Sequence, residues 1–236
     1  MRVLNKTKMV PLSVFTPELI LTAPQVNADI ADNFVRQAAI DFVEASHCLK
    51  RDVIVETQAG VEDMLLTPGD GTRIDRIDQV CDFRGNYYSV LPERPCYVPC
   101  GLTCATVCGP FGSWARWGGQ SWLPTSSLVV WFEQPNVLHV RPVPVCDIEL
   151  GMTVKASVVP NRDACELDEL LYQKYQMKIV AGALAYLFEM PDKPWTNLAL
   201  AAAKRKEAYF GSAKALGDSM TGARQGVHKM TTARFV

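Results

Sequence analysis

Charge of one sign, histidine and long apolar runs are all scarce in this chain. Its 236 residues carry 24 Lys and Arg against 25 Asp and Glu, a formal net charge of −1, so no global field favours nucleic acid or an anionic membrane surface. Only three histidines occur, His47, His139 and His228, and nucleophilic catalysis needs a nucleophile in contact with a base. His47 and Cys48 are neighbours in sequence, but adjacent side chains on a helix point about 100° apart, so they do not make a dyad. There is no G-x-S-x-G elbow, no Walker motif, no H-E-x-x-H and no complete calcium loop. Gly69–Asp70–Gly71 begins like a dinucleotide fingerprint, lacks the third glycine and the following helix, and reads as a turn. No window approaches the roughly 18 apolar residues that cross a bilayer. Pro11, Ser13, Pro17 and Glu18 interrupt any signal-peptide core, so the expectation is mature sequence made and assembled in cytosol. No catalytic residue, cofactor, metal or membrane contact is expected from these absences.

What is present is a 48% hydrophobic chain, enough for a proper core. From Thr22 to about His47, Val26, Ile30, Phe34, Ala38 and Phe42 form one helical stripe. Thr22 with Gln25 is a capping-box pattern that tolerates Pro24 in the first turn, which places the helix start near Ala23. Between Lys50 and Val159 the β-branched and aromatic runs 52–57, 73–80, 128–132, 137–140 and 152–158 are separated by Gly, Pro and Asn clusters, and read as strands. Glu133–Asn136 reads as a four-residue hairpin loop. Ile74, Ile77 and Val80 do not alternate, which predicts a bulge or an edge. From Asn161 the helical pattern returns: Leu167, Leu170, Leu171, Tyr175, Ala181, Leu184, Leu187 and Phe188 make a stripe that PDKPW, residues 191–195, breaks. Thr196 or Asn197 can cap a final, alanine-rich helix to about Gly217. The expected fold is α+β: a helical bundle of the N-terminal helix (22–48) and a C-terminal helical hairpin (161–218), with an inserted antiparallel β domain (49–160) and a C-terminal arm (219–236).

Four cysteines, Cys96, Cys100, Cys104 and Cys108, stand at four-residue intervals. Zinc sites favour Cys pairs two to four residues apart with a second pair after a fold-back, and uniform spacing fits that poorly. Disulfides do not suit a reducing compartment. A packed loop or subunit contact, with reduced cysteine acting as a small apolar residue, is the preferred reading. Trp114, Trp117 and Trp122 lie among glycines beside Arg116. They could stack on bases or sugars, fill the underside of a long loop or anchor an interface, and near-zero net charge favours the interface over nucleic acid. Charge is uneven only at the end. From Lys204 onward, seven Lys and Arg, including Lys204, Arg205 and Lys206, stand against Glu207 and Asp218, a composition that reads either as a solvated helix face with a frayed tail or as a docking arm that orders on an acidic partner.

The succession ADNFVRQAAIDFVEASHCLKRD, LTPGDGTRIDRIDQV, LVVWFEQPNVLHVRPVP and the helix ending AGALAYLFEMPDKPW, after which a second helix turns back, resembles the bacteriophage head-to-tail connector (adaptor) proteins. Tail tubular protein A of short-tailed phages is one member. The resemblance covers residues 22 to about 215 and rests on pattern and order. It implies a virion structural protein at the head-tail junction, present in host cytoplasm during assembly. It also implies a ring, dodecameric to match the portal protein, through which genomic DNA passes without specific binding, with a tail nozzle or other tail proteins below. The arm, through Arg224, Lys229, Arg234 and Phe235, would dock on the portal, while Lys204, Arg205 and Lys206 would pack on adjacent subunits or line the channel. The Cys/Trp-rich stretch 92–124 departs from the family pattern. The alternative readings are a Cys-ligated metal-binding or nucleic-acid-binding protein, for which about one zinc per chain is required, and a hydrolase assembled from distant residues.

Overall fold

Pro24 decides where the first long helix begins. The computed structural model of the chain describes residues 8–69, 71–91 and 129–221. Strand β1 (Met9–Pro11) leads through a short 3-10 turn to α1 (Pro17–Thr22), which starts on a proline and ends where the sequence pattern placed the next helix's cap. Thr22 Oγ1 donates to Glu18 O at 2.8 Å, so this hydroxyl closes a helix rather than opening one. Proline lacks an N–H and drives the residue before it out of the helical region; Ala23 accordingly sits at φ −137°. The long helix α2 (Ala28–Ser46) therefore starts five residues later than expected, with Asn27 Oδ1 accepting from Asp29 N at 3.2 Å, the favoured N-cap chemistry. It ends at His47, whose φ of 46° makes a left-handed cap.

The β region comprises β2 (Lys50–Thr57), β3 (Asp63–Leu65), β4 (Thr72–Asp82), β5 (Tyr87–Leu91), β6 (Val129–Glu133), β7 (Val137–Arg141) and β8 (Ile148–Pro160). They form one curled sheet in the order β2-β8-β4-β5-β6-β7-β3. Arg51 of β2 donates to Pro68 O (3.1 Å) and Thr72 Oγ1 (3.3 Å), tying one edge strand to the chain that leaves the other. Three details correct the sequence reading. β5 and β6 run parallel, Ser89 opposite Val129, so the sheet is mixed; a parallel pair needs a connection of a dozen or more residues, and residues 92–128 supply that length. The β6–β7 loop has three residues, because Glu133 pairs with Val137. β4 lies inside the sheet between β8 and β5, although its buried residues Thr72, Ile74, Ile77 and Val80 do slip out of two-residue alternation. A register shift falls between Val55 and Thr57 against β8, where any side chain on Gly151 would collide with Thr57.

Past β8, strand β9 (Glu166–Asp168) pairs with β1, Val10 opposite Leu167. Leu167 is thus a buried strand residue rather than the first of the helical stripe. Asp168 Oδ1 accepts from Leu170 N at 2.9 Å and caps α3 (Glu169–Glu189). α4 (Leu198–Thr221) is capped by Asn197 Oδ1 on Leu200 N at 3.0 Å, as the sequence suggests, and runs three residues into the stretch read as an arm. Contacts divide the chain into two units at Leu49/Lys50 and Val158/Val159. In the helical unit α2, α3 and α4 pack on one another. All three come close at Gly182 of α3, where an added Cβ would lie 3.1 Å from Ala38 Cβ and 3.6 Å from Ala208 Cβ. The overall class is α+β.

Candidate functional site: the two faces of α4

α4 is apolar on opposite sides. Its inner face, including Ala201, Gly211, Ser212 and Ala215, is buried on its own unit. On the other side Ala199, Ala203, Lys206 and Phe210 are followed by Ala213, Gly217 and Met220, all exposed. The steps are four and three in strict alternation, the heptad spacing of a helix-packing seam. Phe210 is 59% exposed and Met220 72%, with Tyr209 at 67% beside them. A Cβ built on Gly217 meets nothing within 4 Å. A second apolar stripe, on the side its own unit does not cover, is surface that gains from being covered.

The three cations assigned to this helix part company. Lys204 lies 3.1 Å from Glu207, which also takes Lys178 at 2.9 Å. Lys178 and Lys204 hold the Glu207 carboxyl below its usual range. Arg205 reaches Glu189 at 2.5 Å and lies over the Tyr186 ring, 5.7 Å from its centroid. Only Lys206 sits in the outer seam, its Nζ 5.8 Å from the Phe210 centroid. Two of the three charges are therefore spent within the fold, and the seam carries one.

Sequence reasoning missed the polar pair under Arg205. A groove of about 290 Å³ runs between the helices, lined in part by Ala38, Asp41, Gly182, Tyr186 and Ala208. Tyr186 donates its hydroxyl to Asp41, which also accepts from Gln37 Nε2 at 2.7 Å. Burial and then the Asp41 carboxylate push Tyr186 up from 10.0 to about 12. A raised tyrosine favours the neutral folded phenol, so its contribution is complete below about pH 10 and lost as pH rises through about 12. Asp41→Asn removes the charge and should bring this ionisation down toward its ordinary value, read as an earlier tyrosinate absorbance step in a difference titration. With 145 positions between the partners, nothing local in the sequence signals the pair.

In the β unit His139 is held, not poised. Its ring stacks on Trp131 (centroids 4.9 Å, 9°), with Nδ1 2.6 Å from Asp63 and Nε2 3.1 Å from Glu133. Arg141 lies over the same indole, 5.2 Å from its centroid, and donates to Glu62 at 2.9 Å. Both imidazole nitrogens face carboxylates. His47 is a helix cap, and burial pushes the neighbouring Cys48 thiol up, away from the reactive thiolate. Among the described residues no cluster of three or more His, Cys, Asp or Glu is placed to hold a metal ion, and no helix is long and apolar enough to cross a membrane. Cys96, Cys100, Cys104 and Cys108, Trp114, Trp117 and Trp122, and Arg224, Lys229, Arg234 and Phe235 lie outside the described residues. Compared with known proteins, the chain matches no family model and has no match among curated proteins.

Proposed function

We propose that the chain is a bacteriophage virion structural protein, a connector that forms a ring between portal and tail and turns over no substrate. The observation that carries this reading is the outer seam of α4, a solvent-facing heptad stripe on a helix whose other face is already packed. Such a helix gains stability only when something covers it. In this reading the helical unit is a bundle of the N-terminal helix and the C-terminal hairpin, set beside its neighbours in a dodecamer. The β domain is an insertion meeting tail components, and residues 222–236 are the portal-docking arm. The order of elements along the chain, quoted above for its resemblance to connectors, supports it. So does the net charge of −1, since a channel that neutralised many phosphates would retain DNA by counterion release.

The test is docking. A chain lacking residues 223–236 should keep its fold, by circular dichroism, and fail to co-sediment with portal particles, whereas the full chain should cap them with a ring visible in negative stain. Equal docking by the truncated chain removes the arm from the account, and no binding by the full chain removes the function.

A further inference from the structure

We infer that the free chain pairs with a second copy of itself through the outer seam, α4 lying antiparallel on α4 about Phe210. The residue order along the seam carries this. Read against its own reverse, Met220 falls opposite Ala199, Gly217 opposite Ala203, and Ala213 opposite Lys206, while Phe210 meets Phe210 at the two-fold axis. Every large side chain away from the centre thus finds a small one, the complementarity that lets two helices close to packing distance. A parallel pair would instead set Lys206 against Lys206 inside the seam and Met220 against Met220. In the antiparallel pair the Lys206 stem lies along Ala213 with its ammonium reaching water.

The dimensions agree. The seam runs nearly the whole of a 24-residue helix, about 36 Å, and four-three spacing suits a crossing near +20°. Tyr209 is 67% and Phe210 59% exposed, so with aromatic side chains burying of the order of 150–250 Å² each when fully covered, the four rings of two copies supply roughly 400–600 Å². Met220, 72% exposed, and the small residues of both seams carry the contact toward the roughly 1,000 Å² at which specific association begins. Because such a contact is isologous, it closes on two chains and leaves no seam open for further growth.

This inference goes beyond the connector reading and does not need it. If that reading also holds, the pair must open before α4 can serve a ring, so that the free chain is kept from assembling without a portal. The experiment is light scattering of the full chain at tens of micromolar, with photo-cross-linking. The unaltered chain should show a two-chain mass. Phe210→Glu should weaken pairing at least tenfold and give a one-chain mass with unchanged circular dichroism; Ala203→Gln, which crowds Gly217 of the second copy, should do the same should the glutamate variant misfold. Benzoylphenylalanine placed at Ala199 should cross-link to the peptide containing Met220. A one-chain mass for the unaltered chain, a two-chain mass for both variants, or a cross-link from position 199 to position 199 would each overturn it.

Discussion

Trp131→Ala should cost the β unit about 3–5 kcal/mol, the range for emptying a large buried aromatic site, and lower the melting point of that unit by roughly 13–22 °C. Trp131 is 2% exposed, although β6 alternation puts it on the opposite face of the hairpin from buried Val130, Leu138 and Val140. What covers it includes the stacked His139 ring and the Arg141 guanidinium. Removing the indole therefore leaves a cavity and also leaves two polar side chains, with Asp63, Glu133 and Glu62 attached, without the surface that orients them. Trp131→Phe should cost half of that or less. The indole Nε1 is buried with no hydrogen-bond partner among the described residues, so the phenyl ring removes an unsatisfied donor along with part of the volume. Thermal melts of both variants decide it, and equal losses would mean the indole nitrogen does matter to the fold.

Gly182→Leu should destabilise the helical unit by about 3 kcal/mol or more. Overpacking usually costs about 1–3 kcal/mol, and here the added branch enters where α2, α3 and α4 meet with no slack, Ala38 Cβ already 3.1 Å from a hypothetical Cβ. The helices must separate. Gly182→Ala is the control, since a helix gains about 1 kcal/mol from exchanging glycine for alanine and the contact takes some of it back; near-neutral melting is expected. The leucine variant should also lose whatever α4 binds, because displacing α4 misplaces the outer seam. A stable Gly182→Leu chain would show that the helices pack more loosely than the small residues at this crossing require.

The long helices were legible because their periodicity spans several turns. The α4 cap at Asn197 was legible because its chemistry is local. The start of α2 was misread for a local reason too: Thr22 and Gln25 fit a capping box, yet Pro24 ended one helix and Asn27 opened the next. Leu167 satisfied the helical stripe by coincidence of spacing and instead pairs with Val10, a partner that no nearby residue announces. Strand direction was invisible in β5 and β6, since alternation is the same in parallel and antiparallel pairs. For the candidate site, the residue types on α4 were in view, but a helix with two apolar stripes does not say which one its own fold will cover.

By itself the sequence determined the α+β class, the rough position of the three long helices and of five strands, the near-neutral charge and the alanine-rich character of the last helix, all of which follow from side-chain chemistry read a few residues at a time. Only the tertiary structure decided that Lys204 and Arg205 are neutralised by Glu207 and Glu189 while Lys206 faces outward. The same holds for the Tyr186 pairing with Asp41, and for which stripe of α4 is left uncovered. These are contacts between residues far apart in the chain, set by how helices close on one another, and packing of that kind has no counterpart in local periodicity.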